Sequence, residues 1–322
     1  MTNRSNVNTI ETSHIPVLLE EAVLGLNIKN DGLYVDVTFG SGGHSQAILE
    51  KLGGEGCLVA MDRDHRAIIH ARERFGQDPR CRIAHGSMRD VDKNLESIVP
   101  GRKANGVIAD LGVSSVQLDA PGRGFSFMAD GPLDMRMDTS AELDASSWLN
   151  RAEESELVQV LREYGEERYA RRIARAIVEY RKTRPLQRTG QLVDIVVDAV
   201  PTREKNKHPA TRTFQAVRMY INSELEQLST FLPRAVRVLA EGGRLAIISF
   251  HSLEDRLVKR FMREQARGDN YPPNIPVTVR QLRPLLKIIG KPRRPGRSEI
   301  EANPRARSAV LRVAERTEYH YA

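Results

Sequence analysis

The stretch Leu33-Tyr34-Val35-Asp36-Val37-Thr38-Phe39-Gly40-Ser41-Gly42-Gly43-His44-Ser45 constrains the fold more than any other. Leu33, Val35 and Val37 are apolar and mostly β-branched, as a buried strand requires. Gly40, Gly42 and Gly43 then open positive φ to the backbone and remove the Cβ atoms that would block a ligand. Beyond them, Ile48, Leu49 and Leu52 fall on one side of a helix. A glycine turn at the carboxyl end of the first strand of an α/β sheet is a ligand site by geometry. The helix N-terminus behind it favours negative groups such as a ligand carboxylate. The dinucleotide fingerprint is met imperfectly, because Ser45 stands where a third glycine or alanine belongs.

What precedes the glycines points elsewhere. Asp36 lies four residues before Gly40, with Thr38 between, and Asp-x-Thr-x-Gly-x-Gly-Gly resembles the first motif of class I S-adenosylmethionine (SAM) methyltransferases. An acid there can accept from the ligand's ammonium or from loop amides. A sulfonium cation tolerates a nearby carboxylate, whereas a pyrophosphate does not. The chain has 322 residues, 40% hydrophobic and 28% charged, as a soluble globular protein does. No apolar run approaches the ~20 residues of a membrane helix. Met1 to Ser13 is polar and reads as a flexible lead without a secretory signal. Cys57 and Cys81 fall in expected strands, so free thiols in a reducing compartment are expected, and their spacing offers no zinc site. The net charge of +7 favours a polyanionic partner without proving one.

Taken in order, His14 to Leu26 reads as a short helix, and Gly56 to Asp62 as a second buried strand ending in an acid. Asp62 lies 19 residues beyond Gly43, where α/β nucleotide folds place a ribose-binding acid. It could instead cap the next helix, although Asp64 is the better cap. Arg82 to Met88 is a third strand and its exit, where Met88 borders an adenine or simply joins the core. Gly106 to Leu111 is the fourth strand, whose terminal Asp110 should face the crevice where the strand order reverses. Residues 119–138 are turn-rich, yet Phe125, Phe127 and Met128 argue for a packed lid. Helices follow to about residue 200. Arg168, Arg171, Arg172 and Arg175, continued by Arg181, Lys182, Arg184 and Arg188, form a basic face. It either contacts phosphates or is solvated and paired to Glu166 and Glu167. A basic loop, Lys205 to Gln215, leads to a long amphipathic helix that Pro233 should kink or divide, ending at Glu241-Gly242-Gly243. Arg244 to Phe250 is a fifth strand, followed by a helix from about Ser252 with Asp255 completing a capping box. His251 is either a polar turn residue or a catalytic one. Residues 269–300 are rich in proline and arginine, and Ala309 to Ala314 is a last strand.

The assembled motifs resemble the bacterial RsmH/MraW family from about residue 14 to 317. The blocks that carry the likeness include His14-Ile15-Pro16-Val17-Leu18, Thr38 to Ser45, Asp110-Leu111-Gly112-Val113-Ser114-Ser115, Gly124-Phe125-Ser126-Phe127-Met128, Asp130 to Met137, His208 to Ala216, Ser249-Phe250-His251-Ser252-Leu253-Glu254-Asp255-Arg256 and Asn303-Pro304-Arg305-Ala306-Arg307-Ser308. The resemblance implies a class I, Rossmann-like α/β sheet with an inserted all-helical domain. The expected division is 1–138 and 209–322 for the methyltransferase core and 139–208 for the helical substrate-recognition insert. It implies a cytoplasmic SAM-dependent enzyme, with no metal, that methylates N4 of a cytidine in the decoding region of small-subunit (16S) ribosomal RNA, in an assembled or assembling 30S subunit. SAM would be held by Gly42, Gly43, His44, Asp62, Asp110 and Gln117, with Met88 at a position that often carries Phe in the family. Asp110, or a neighbouring backbone carbonyl, would accept an N4 hydrogen, although the Asn/Asp-Pro-Pro-aromatic pattern of many amino-methyltransferases is reduced here to Asp110-Leu111-Gly112-Val113. Phe125 or Phe127 would pack on the extruded base, and Arg305 and Arg307 would join the basic helix on phosphates. The rival readings are a non-catalytic ribosome-assembly factor with a vestigial SAM pocket, a nicotinamide-dependent oxidoreductase, and an enzyme with a DNA or small-molecule acceptor.

Overall fold

The computed structural model describes residues 16–202, 208–269 and 279–319. The polar lead, His14-Ile15 and Lys205-Asn206-Lys207 lie outside the described residues, as do 270–278 of the proline- and arginine-rich stretch. Helix α1 (Leu19–Leu26) precedes an alternating run of β1 (Leu33–Asp36), α2 (Gly43–Leu49), β2 (Cys57–Asp62), α3 (His65–Phe75), β3 (Cys81–His85), α4 (Val91–Ile98) and β4 (Ala104–Asp110). These strands are parallel, with Val35 in register with Val59 of β2 and Val107 of β4. After α5 (Ser115–Asp119) come the helices α6 (Ala145–Arg151), α7 (Glu154–Glu163), α8 (Ala170–Arg181), α9 (Thr189–Ala199), α10 (Ala210–Ile221) and α11 (Glu224–Val238). The chain then completes the sheet through β5 (Leu239–Ser249), α12 (Ser252–Arg267), α13 (Val279–Leu282), β6 (Leu286–Ile288), α14 (Arg297–Ala302) and β7 (Val310–Arg316).

The strand order is β3-β2-β1-β4-β5-β7-β6, with β7 antiparallel to both its neighbours. The sequence therefore reverses direction between β1 and β4, which opens a crevice at their carboxyl ends. Alternation along the strands buries both faces. Val35, Val59 and Val107 pack with Phe231, Leu232 and Val258 on one side. Tyr34, Leu58 and Ile108 pack with Leu26 and Ile48 on the other. Cys57 and Cys81 are buried free thiols, and burial pushes the Cys81 thiol up to about 12.

A third apolar cluster belongs to the helical body. It gathers Trp148, Leu157, Ile173 and Leu192 from α6–α9, and also Phe125, Leu133 and Met135 before them and Phe214 and Val217 after them. The core of this body thus extends past residues 139–208 on both sides.

Three local expectations differ from what is seen. Pro233 sits inside α11 without dividing it. The break falls at Asn222-Ser223, where Ser223 takes φ +47° and the Asn222 side-chain amide donates to the carbonyls of Met135 and Arg218. His251, not Ser252, caps α12, accepting the Glu254 amide on Nδ1. Strand β5 begins at Leu239, so Gly242 and Gly243 lie within the strand rather than in a turn before it.

Candidate active site

At the carboxyl ends of β1, β2, β4 and β5 lies a cleft of about 340 Å³, walled by Gly43, His44, Asp62, Met88, Asp110 and Gln117 among others. Its floor is the glycine turn. Asp36 is buried beneath the turn and accepts the Thr38 amide at 3.1 Å and the Ser45 hydroxyl at 2.7 Å. Through these two donors it organises the loop from below, and burial drives its carboxyl up to about 6. Gly42 takes φ +81°, and a Cβ there would stand 2.5 Å from the Phe39 ring. It shapes the turn, while Gly43 and His44 face the cleft. A Cβ on Gly43 would meet Pro16 Cγ at 2.0 Å, which ties the turn to the entry of α1.

Asp62 is not the cap of α3. Asp64 caps α3, accepting the Arg66 amide at 3.0 Å. Asp62 instead accepts the Gly40 and Asp64 amides, both at 2.8 Å, and still lines the cleft. Gln117 is committed on both ends of its amide. Its Oε1 accepts the Ser114 amide and its Nε2 donates to Asp64 Oδ2 at 2.8 Å. The same Asp64 oxygen meets the guanidinium of Arg123 at 2.8 Å, with both side chains 5% exposed. Arg123 also donates to the carbonyls of Arg136 and Met137, so it ties the cofactor side of the cleft to the 119–138 segment. A lone arginine in a turn-rich segment gives no signal of this role. Met88 lines the cleft and packs against the core.

Asp110 stands at the end of β4. Its amide donates to Thr38 Oγ1 at 2.6 Å. Its Oδ1 is buried and has no hydrogen-bond partner among the described residues. Burial, then the charges of Asp36 and Glu254, raise its carboxyl well above the usual range. His44 lies 3.8 Å from Asp110 Oδ2 through Nδ1, while its Nε2 donates to the Val17 carbonyl at 3.2 Å.

The opposite wall is not visible in the sequence. Arg218 of α10 donates Nε and Nη2 to the two oxygens of Glu224, each at 2.8 Å. Glu254 is buried and accepts the Phe250 amide at 3.0 Å. Burial works to raise its carboxyl, but His251, that amide and Arg218 outweigh it and hold it low. Arg218, Glu224 and Glu254 all line the cleft. His251 does not face it and serves as the cap of α12, its Nε2 3.2 Å from Glu254. Glu224, His251 and Glu254 offer ligand atoms within 4.8 Å of one another, yet the Arg218 guanidinium already takes both Glu224 oxygens.

Four acids stand on the wall; Glu224 is taken by Arg218, and the other three, Asp62, Asp110 and Glu254, fit a ligand with hydroxyl donors and positive charge and disfavour a pyrophosphate. The unpartnered Asp110 Oδ1 is an acceptor awaiting a donor. SAM, with a ribose, an ammonium and a sulfonium, meets these demands, and a nicotinamide dinucleotide does not.

Outside the cleft, Arg168, Arg171, Arg172 and Arg175 differ little in setting. Arg168, Arg171 and Arg172 sit on the outer side of α8 and its entry, and Arg175 follows one turn on. The last three line an open hollow of about 440 Å³ against Asp198 and Ala199 of α9. Glu166 turns instead to Ser252 and Arg256, and Glu167 accepts the Tyr169 amide, so neither compensates that face. Arg305 stands at the cleft rim, paired with Asp119 at 2.6 Å, and Arg307 is exposed. The aromatic expectation needs correction. Phe125 is 5% exposed within the helical core, under the Arg123 guanidinium, and cannot pack on a base without unfolding its surroundings. Phe127 stacks on His208 at 4.9 Å and Met128 is 87% exposed, so the lid is packed only in part.

Comparison with known proteins bears on the same residues. The family model described as the MraW methylase family matches residues 11–317. A ribosomal RNA small subunit methyltransferase H from Thioalkalivibrio sulfidiphilus (strain HL-EbGR7) is 54% identical over 305 residues, covering 94% of this chain and 97% of that one. Among solved structures, an rRNA methylase from Streptococcus thermophilus aligns at TM-score 0.43 and 10% identity over 95% of this chain and 98% of its own. TrmN from Thermus thermophilus aligns at TM-score 0.43 and 12% identity over 96% of this chain and 51% of its own. From the glycine turn to the last strand, one family description spans every element that builds the cleft, and the chain belongs to the MraW methylase family.

Proposed function

We propose that this protein methylates N4 of a cytidine in the decoding region of 16S ribosomal RNA within an assembled or assembling 30S subunit. The chain is a SAM-dependent methyltransferase of small-subunit ribosomal RNA. The nucleotide, the subunit context, a cytoplasmic location and the division into a core of 1–138 and 209–322 with a recognition insert at 139–208 belong to the proposal. Among the described residues no helix is long and apolar enough to cross a membrane.

The observation that carries the reading is the buried, unpartnered Oδ1 of Asp110 in an acid-walled cleft. When bound, SAM supplies an electrophilic methyl group on a sulfonium. Cytosine N4 is conjugated with its ring and is a poor nucleophile, so the protein must position it and withdraw a proton. Asp110 Oδ1 accepts one N4–H and so aims the nitrogen; positioning of this kind supplies much of the acceleration. A carboxylate whose charge is disfavoured by burial and by Asp36 and Glu254 is also a stronger base than a free one. Asp62 would hold the ribose hydroxyls of SAM, Gly43 and His44 its amino-acid end, and Met88 its adenine, since all four line the cleft. The base must leave its stack to enter. Arg168, Arg171, Arg172 and Arg175, with Arg305 and Arg307, hold the flanking phosphates.

The test compares acceptors with isotopically labelled SAM: undermethylated small subunits, naked 16S RNA and duplex DNA. Labelling confined to ribosomal RNA, strongest on subunits, is expected. Equal labelling of DNA would remove the ribosomal reading, and bound SAM with no transfer to any acceptor would favour an assembly factor.

A further inference from the structure

We propose that Arg218 reads the target base, presenting a hydrogen-bond donor beside the Asp110 acceptor so that the pair selects cytosine over uracil. The inference rests on the cytosine-N4 reading and adds to it the residue that recognises the base.

Among the described residues, three guanidinium groups line the cleft, and they differ in what they have left to give. Arg63 commits Nη1 and Nη2 to the Asn222 carbonyl and side chain at 3.0 and 2.6 Å. Arg305 directs both terminal nitrogens to Asp119. Arg218 spends only Nε and Nη2 on Glu224. Its Nη1 has no carboxylate partner among the described residues and is not among their buried unpartnered atoms, and the residue lines the cleft. The two-point clamp fixes the plane of the guanidinium, and the side chain is 15% exposed, so the remaining donor is held rather than searching. Burial opposes its charge, but Glu224, with Glu254 adding to the attraction, keeps it firmly protonated. Glu224, which Arg218 clamps, lies with a carboxylate oxygen within 4.8 Å of one of Glu254. Glu254 in turn accepts the amide of Phe250, two residues beyond Ile248, the register partner of Asp110, and Arg218, Glu254 and Asp110 all line the cleft, which places the two groups around one end of it.

The pairing edge of cytosine carries the N4 amino donor beside the N3 acceptor. Uracil reverses both, with a carbonyl at position 4 and an N–H at position 3. An acceptor from Asp110 and a donor from Arg218 reproduce the edge by which guanine recognises cytosine. Against uracil they would set oxygen against oxygen and N–H against N–H in a desolvated pocket, where unpaired polar groups discriminate strongly. Arg218 also comes from α10, which lies just beyond the proposed 139–208 insert but packs with its helices, so base reading would be supplied from the helical side of the cleft and proton acceptance from the sheet.

The experiment pairs a protein change with a base change. Arg218→Met alone would strand the buried Glu224 charge and could unfold the site. The working variant is therefore Arg218→Met with Glu224→Gln, alongside Arg218→Lys. Small subunits are reconstituted with cytidine or 3-deazacytidine at the target, the latter replacing the N3 acceptor by C–H. The intact protein should lose about 10- to 100-fold in kcat/KM on 3-deazacytidine, as expected for one charge-assisted hydrogen bond. The double variant should lose a similar factor on cytidine, lose little more on 3-deazacytidine, and bind SAM within about twofold of the wild type. Arg218→Lys should fall between them. Equal, additive losses on the two substrates would overturn the assignment. So would a tenfold weaker SAM affinity with unchanged discrimination, which would put Arg218 on the cofactor carboxylate. If the unaltered protein forms no N4-methylcytidine on normal subunits, the broader reading fails first and this inference with it.

Discussion

Asp110→Asn separates catalysis from stability. The substitution keeps the shape of the side chain and removes its ability to take a proton. Wild-type Asp110 carries a buried Oδ1 without a partner among the described residues, and its charge is opposed by burial, Asp36 and Glu254. In the free protein at neutral pH such a group costs about 1–3 kcal/mol. Neutral asparagine should recover part of that, raising the thermal midpoint by about 2–5 °C. The sign with pH follows from the raised carboxyl. The folded protein holds the proton more tightly than the unfolded chain, so the penalty is absent below the ordinary carboxylate range and grows as pH rises through the folded value. The stability advantage of the variant should therefore vanish in acid. Turnover should move the other way, falling about 10²- to 10⁴-fold under saturating SAM, the span of general base catalysis. The assays are urea denaturation of the free protein across pH and single-turnover methylation of subunits. A variant that is less stable and fully active would refute both halves of the reasoning.

Other outcomes follow from the same geometry. Gly43→Ala would drive a Cβ to 2.0 Å from Pro16 Cγ, so the turn must shift, costing about 1–3 kcal/mol and weakening SAM binding at least tenfold by calorimetry; unchanged affinity would mean that the turn does not hold the cofactor. Replacing Arg171, Arg172 and Arg175 by glutamine should leave SAM affinity intact and flatten the salt dependence of subunit binding by about 0.7–0.9 for each phosphate no longer neutralised. An unaltered slope would return that face to solvent. Asp36, raised by burial to about 6, favours folding below the usual carboxylate range and loses that contribution as pH climbs through about 6, a change of about 3 kcal/mol. Denaturation of wild type against Asp36→Asn at pH 4.5 and 7.5 reads it as a change in their difference, and a constant difference would contradict it.

The sheet and its crevice are legible in the sequence because they rest on local patterns. The alternation at Leu33, Val35 and Val37, the glycine turn and the strand-end acids Asp62 and Asp110 each announce themselves within a few residues. Asp64 as the cap of α3 is readable for the same reason. What escapes depends on tertiary placement. Arg123 becomes a buried clamp only because Asp64 and the carbonyls of Arg136 and Met137 converge on it. Arg218, Glu224 and Glu254 look like ordinary helix charges until α10, α11 and α12 bring them to one wall. Phe125 suggests a base platform because an aromatic in a loop suggests exposure; its burial is set by helices that lie far away in sequence. The break at Asn222 escapes because Pro233 is the stronger local signal, whereas the Asn222 amide bonds that stabilise the break reach Met135, remote in the chain.

The central claim is that this cleft delivers a methyl group to cytosine N4 of small-subunit ribosomal RNA. The direct measurement is nuclease digestion of undermethylated small subunits after reaction with labelled SAM, followed by identification of the labelled nucleoside by mass spectrometry. The account predicts label in N4-methylcytidine at a single decoding-region position, abolished with Asp110→Asn. Label in a C5-methylated pyrimidine, a ribose 2′-O-methyl group or a methylated purine would contradict it.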